Sequence, residues 1–207
     1  TGVGKGERTI IEATVGGATV EIVTRPGFPG WDGLSQAESL LAEYAEVFPG
    51  ERVLVFPCGH GALAVWLARQ TQAGGILVVD TNYVAISAAE ATCARNACGD
   101  RTRGRLGLPS QSGGDLNVIL LRLPKGRDLA RLVFLECLAA LAPGGRLYHA
   151  GANNEGIKTA AADCAAPCTR DRQAARPGRL YLQPHGVRKP CAAHGEVRGD
   201  DDLVAGL

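Results

Sequence analysis

The chain has 207 residues, 45% of them hydrophobic, enough for one domain with a sizeable core. Lys and Arg total 22 against 21 Asp and Glu, a net charge of +1, which excludes recognition of nucleic acid by global charge and leaves only a local patch. No apolar run reaches the ~18 residues of a membrane span, and no basic stretch leads into an apolar signal core. Seven cysteines without a regular framework suit a reduced cytoplasm better than a disulfide scaffold, so the chain reads as cytoplasmic with no membrane contact. It starts at Thr1 and contains no Met, so the true start is expected to be missing.

Thr9 to Thr14 and Ala18 to Thr24 are β-rich runs flanking Gly16-Gly17, the signature of a hairpin. Arg25-Pro26-Gly27-Phe28-Pro29-Gly30 breaks regular structure, and Ser35 is placed to cap a helix running to about Tyr44. From Glu51 strands alternate with helices. Arg52–Phe56 and Ile76–Val79 are short continuous apolar runs, as parallel strands covered on both faces require. Ala62–Gln70 between them is a helix apolar nearly all round. Thr81 or Asn82 caps a helix over Ala85–Ala97. Arg101–Gly114 reads as a loop or eroded strand, and Leu116–Leu123 as the next strand. Asp128 is expected to cap a helix in which Leu129, Leu132, Leu135 and Leu138 or Ala139 recur. Pro143-Gly144-Gly145 should stop that helix before a strand at Arg146–Ala150. The order implies an α/β fold: a Rossmann-like, doubly wound, mostly parallel sheet preceded by a β-hairpin. Residues 1–159 form this domain. Residues 160–207, rich in Arg, Pro and Ala with one plausible strand at Arg179–Gln183, read as a poorly ordered divergent tail or the product of a reading-frame change.

The chemistry centres on Val53-Leu54-Val55-Phe56-Pro57-Cys58-Gly59-His60-Gly61, a strand entering a glycine turn and then a helix. Glycines there let the backbone approach a ligand and aim helix N-terminal amides at it. Nineteen residues after Gly61, Asp80 ends the second strand, where a carboxylate accepts hydrogen bonds from both ribose hydroxyls of a nucleoside. For Asp80 alone, a helix-preceding cap is the plainer alternative.

This segment resembles the class I S-adenosylmethionine-dependent methyltransferase pattern of strand, Asp/Glu-x-Gly-x-Gly-x-Gly and acidic strand end. Within it the chain is most similar to the small-domain ribosomal RNA guanine methyltransferase group, over about residues 20–160. Arg25-Pro26-Gly27-Phe28-Pro29-Gly30-Trp31-Asp32-Gly33-Leu34 resembles the loop that leads into that domain, and Leu123-Pro124-Lys125-Gly126-Arg127 and Gly151-Ala152-Asn153-Asn154-Glu155-Gly156-Ile157-Lys158 resemble the stretches after the fourth and fifth strands. The resemblance implies S-adenosylmethionine as cofactor, held by Cys58, Gly59, His60, Gly61, Asp80, Thr81 and Asn82. It places Arg122, Pro124 and Lys125 toward an RNA acceptor.

The chain also departs from the pattern. The family's strand acid falls on Val55 and its first glycine on Pro57, which has no amide to donate. Leu123-Pro124-Lys125 stands where amino-methylating members carry Asn-Pro-Pro-aromatic, a form that the family uses in the non-catalytic half of a duplicated enzyme. Two functions therefore stand: methyl transfer to RNA, with no catalytic residue assigned, and a degenerate domain that grips or scaffolds RNA. A nicotinamide oxidoreductase is a distant third, since the glycines do not complete Gly-x-Gly-x-x-Gly. Cys58 lacks a His/Asp partner and reads as a packed residue rather than a nucleophile. Cys164, Cys168, Cys191 and His194 look faintly like a zinc set, but the spacing is loose and no metal is assigned. No stable protein partner is legible.

Overall fold

The computed structural model describes residues 8–152 except 72, with the backbone of three short strands beyond them. Two antiparallel strands, β1 (Thr9–Val15) and β2 (Ala18–Thr24), open the chain, with Val15 opposite Ala18. The turn between them is Gly16-Gly17, both at positive φ (53° and 82°), as a tight hairpin demands. An isolated two-stranded ribbon is marginal in water, and here helices hold it. Trp66 packs so closely under Gly16 that a Cβ there would overlap the indole. The Val23 amide donates to Thr92 Oγ1 (2.9 Å), and Asn96 Nδ2 donates to the Glu21 carbonyl (2.7 Å).

The main body alternates α1 (Gln36–Tyr44), β3 (Arg52–Phe56), α2 (Ala62–Gln70), β4 (Gly75–Asp80), α3 (Tyr83–Arg95), β5 (Thr102–Leu106), β6 (Leu116–Arg122), α4 (Arg127–Ala140) and β7 (Leu141–Ala152). With β10 (Leu203–Gly206) these strands form one sheet in the order β10-β7-β6-β3-β4-β5. β3 to β7 are parallel, and β10 runs antiparallel along β7. A separate antiparallel pair joins β8 (Leu180–Tyr181) to β9 (Glu196–Val197). The rest of 160–207, with its expected disorder or frame change and the Cys164 to His194 cluster, lies outside the described residues.

Adjacent residues on each strand feed opposite faces. Val53 and Val55 join the core beneath α1, α2, α3 and the hairpin, while Leu54 and Phe56 join the core beneath α4. This is the doubly wound, Rossmann-like arrangement the alternation predicts. Strand order reverses between β3 and β6, which opens a crevice at their carboxyl ends. Among the described residues, no helix is long and apolar enough to cross a membrane.

Five local expectations are corrected or sharpened. The 101–114 stretch contains a true strand, β5, whose Arg103 and Arg105 are exposed because it is the sheet edge. Helix α3 begins at Tyr83 and ends at Arg95, two residues earlier at each end than its periodicity suggested; its start is set by the Asn82 side chain, which accepts from the Val84 amide (2.9 Å). Helix α4 is capped by Gly126 (φ 98°) rather than Asp128, which sits in the first turn near the positive helix end. It stops at Ala140, ahead of Pro143, and Gly144-Gly145 lie within β7 where its register with β6 shifts. Its leucines also face outward: Leu129, Leu132 and Leu135 are 49%, 47% and 54% exposed. A strict spacing of three drifts about 60° per step around a 3.6-residue helix. The buried set Ala130, Val133, Phe134, Cys137 and Ala140 alternates steps of three and four and stays on one side.

Candidate functional site

The glycine turn lies at the carboxyl end of β3, beside the crevice. Gly59 (φ 54°) and Gly61 (φ 86°) take left-handed conformations, and Gly61 is the N-cap of α2. The turn is stitched to β4 by the Cys58 amide donating to the Val79 carbonyl (2.9 Å) and closed by Gly61 donating to the Cys58 carbonyl (3.1 Å). Asp80 stands alongside, 6% exposed. Its Oδ2 accepts from the Gly59 amide at 3.4 Å and its Oδ1 from the Asn82 amide at 2.9 Å. The carboxylate is thus aimed by the turn and by the start of α3, with lone pairs left for a ligand.

Burial raises the Asp80 pKa above its ordinary 3.8, against the lowering effect of those two amides and of the Arg122 charge. With a raised native pKa, the unfolded chain loses its proton first. The stability carried by protonated Asp80 is therefore full below about pH 4 and lost as pH rises through the native value. We expect the stability of Asp80→Asn to fall less, or rise more, than that of the parent chain as pH rises above about 4. Urea titrations at several pH values check this, and parallel slopes would refute it.

The other sequence-selected residues fall into distinct places. His60 is 1% exposed; its Nε2 donates to the Gly33 carbonyl (3.2 Å) and its Nδ1 accepts from the Ala62 amide (3.4 Å). Its side chain pins the 30–34 loop to the turn, which leaves only its backbone for a ligand. Burial, with Asp80 nearby, pushes the Cys58 thiol far up and makes it a poor nucleophile. Thr81 and Asn82 are exposed between β4 and α3. A cleft of about 450 Å³ adjoins Asn82, walled by Val84 and by Arg25, Phe28 and Pro29 of the loop after the hairpin. Arg122 ends β6 with its guanidinium 3.8 Å from where a Gly59 Cβ would lie. Pro124, half-buried, and exposed Lys125 follow on the loop into α4, and Leu123 turns into the core.

Sequence reasoning missed Glu38. It belongs to α1, is 3% exposed, and its Oε1 lies 3.6 Å from that same Gly59 Cβ position. The only local signal was the capping box Ser35-x-x-Glu38, in which Oε2 accepts from the Ser35 amide (2.9 Å) and hydroxyl (2.6 Å). Val55, on the family's acid position, is 2% exposed and part of the core beneath α1 and α2.

The methyltransferase small domain family matches residues 19–166. Over 117 residues the chain is 33% identical to the ribosomal RNA large subunit methyltransferase G of Pseudomonas syringae pv. tomato, covering 52% of this chain and 31% of that protein. Over 77 residues it is 31% identical to the ribosomal RNA small subunit methyltransferase C of Stutzerimonas stutzeri, covering 37% of this chain and 23% of that protein. The chain thus spans less than a third of the length of these curated relatives. Among solved structures, the T. thermophilus 16S rRNA methyltransferase RsmC, in complex with AdoMet and guanosine, shares the fold with a TM-score of 0.61 at 24% identity, over 82% of this chain and 42% of that one. With more than half of its length matched by the family, the chain belongs to the methyltransferase small domain family.

Proposed function

We propose that the chain is an S-adenosylmethionine-dependent methyltransferase domain acting on RNA, with a ribosomal RNA guanine as the acceptor class. The observation that carries this reading is Asp80. A buried carboxylate ends β4, the strand next to β3, and is held by the Gly59 and Asn82 amides. That is the chemistry a ribose diol requires. Gly59 and Gly61 leave backbone where a ligand comes close, and Thr81 and Asn82 border the adenosine. The residues present fit the nucleoside end of the cofactor well. At its methionine end, Val55 supplies no carboxylate and Pro57 no amide.

S-adenosylmethionine supplies an activated methyl group on a sulfonium. The protein's part is to hold donor and acceptor in line, a matter of proximity and orientation that needs few acid–base groups. Pro124 and Lys125, at the same carboxyl edge, are proposed to face the RNA. A cytoplasmic location and a role in ribosomal RNA processing accord with the relatives' names and with the burial of Cys58, Cys93, Cys98 and Cys137. Burial pushes the Cys93 thiol up to about 12, so it is inert.

Isothermal titration calorimetry with S-adenosylmethionine tests the reading. We expect micromolar binding that Asp80→Ala weakens by about tenfold to a hundredfold, as loss of a charged hydrogen-bond acceptor implies. Absence of binding at millimolar ligand would overturn it and leave a domain that holds RNA without catalysis, as Val55 and Pro57 would favour.

A further inference from the structure

Capping α1 uses only half of the Glu38 carboxylate. Both bonds from Ser35 go to Oε2, which leaves Oε1 outside the cap. A carboxylate 3% exposed is costly unless paired. Its cationic neighbour, Arg122, stands off, with Nη1 3.8 Å from Oε2. Both groups converge on one point: a Cβ on Gly59 would lie 3.6 Å from Glu38 Oε1 and 3.8 Å from Arg122 Nη2. One anion and one cation, too far apart to satisfy each other fully, therefore flank the outer side of a glycine turn whose backbone is bare. That is a receptor for a zwitterion.

The strand position that carries an acid in the family is Val55 here. Val55 faces the core it shares with Ala37 and Leu41 of α1, so Glu38 overlooks the same side of the sheet. A carboxylate lost from β3 is thus replaced, within that side of the fold, by one from α1. We propose that Glu38 holds the α-ammonium of the methionine moiety of S-adenosylmethionine through Oε1, and that Arg122 holds its α-carboxylate. The inference rests on the methyltransferase reading above. It gives Arg122 a role in the cofactor pocket instead of on the RNA.

Calorimetry with two ligands separates the possibilities. S-adenosylhomocysteine carries the amino acid moiety, whereas 5′-methylthioadenosine keeps the nucleoside and sulfur without it. Glu38→Gln preserves the capping box, since glutamine serves at that position. We expect Glu38→Gln and Arg122→Met each to weaken S-adenosylhomocysteine by about tenfold to a hundredfold and to leave methylthioadenosine unchanged. Unchanged binding of S-adenosylhomocysteine to Glu38→Gln would overturn the proposal while sparing the methyltransferase reading. Equal weakening of both ligands would also overturn it, marking a structural role. A parent chain that binds neither ligand would overturn both.

Discussion

Phe134→Ala is expected to lower the unfolding free energy by about 3–5 kcal/mol, the range for deleting a buried aromatic ring. Phe134 is 1% exposed and heads the fully buried side chains by volume. It meets the ring of His149 on β7 edge-on, with centroids 4.9 Å apart at 80°. The two faces of the sheet are unequally covered. One carries α1, α2, α3 and the hairpin; the other, among the described residues, has α4 alone as its helix. The rest of the buried face of α4 is small or thin (Ala130, Val133, Cys137 and Ala140), so little can move in to fill the space a ring leaves. A domain is stabilised by only about 5–15 kcal/mol in total, so this one change removes a large fraction. Urea denaturation with an unchanged m-value measures it. Leu132→Ala, two residues away and 47% exposed, should stay within about 0.5 kcal/mol. A loss at Phe134 no larger than that of Leu132 would mean that α4 does not pack through the face described.

The contrast between Phe134 and Leu132 also shows where sequence reading stops. Leucine content drew attention to 129, 132 and 135, yet the residues that stay in phase with the helix are largely smaller ones, and burial follows phase rather than size. Two glycine signals in the sequence match the structure. Gly16-Gly17 marked the hairpin, and α2 spans Ala62–Gln70 as the apolar run between Gly61 and the next strand predicts. The glycine turn and Asp80 were legible for the same reason, since their spacing is that of one strand–helix–strand unit. Edge strand β5 was obscured because its outward residues are arginines, which an edge tolerates and an interior strand does not. Glu38 was invisible as a site residue for a different reason. It lies 21 residues before Gly59, and only the packing of α1 over the sheet brings it to the turn. Its capping box explains it locally and so hides its second oxygen.

Gly61→Ala should be nearly as damaging as loss of the Phe134 ring, by an opposite route: it adds one carbon where there is no room. At φ 86° an alanine is strained by about 1–2 kcal/mol before any contact is counted. Its Cβ would then lie 2.7 Å from the Ala89 Cα, 2.9 Å from the Ala89 Cβ and 3.0 Å from the Ala89 carbonyl oxygen. Two of those three atoms are backbone of α3, so relief requires the helix itself to move away from the turn, and overpacking of this kind costs about 1–3 kcal/mol more. The sum, about 2–5 kcal/mol, should appear in urea denaturation. Ala89→Gly in the same chain removes only one of the three clashing atoms and leaves the strained φ, so it should restore less than half of the loss. Full rescue by Ala89→Gly would contradict the backbone contact. The same displacement carries Asn82, at the N-terminus of α3, away from Asp80, and loosens the carboxylate that the turn and the helix hold between them. Cofactor affinity should therefore fall in Gly61→Ala even below the denaturation midpoint, under conditions where calorimetry samples only folded protein. Unaltered affinity in the folded variant would show that the turn and Asp80 are not mechanically linked.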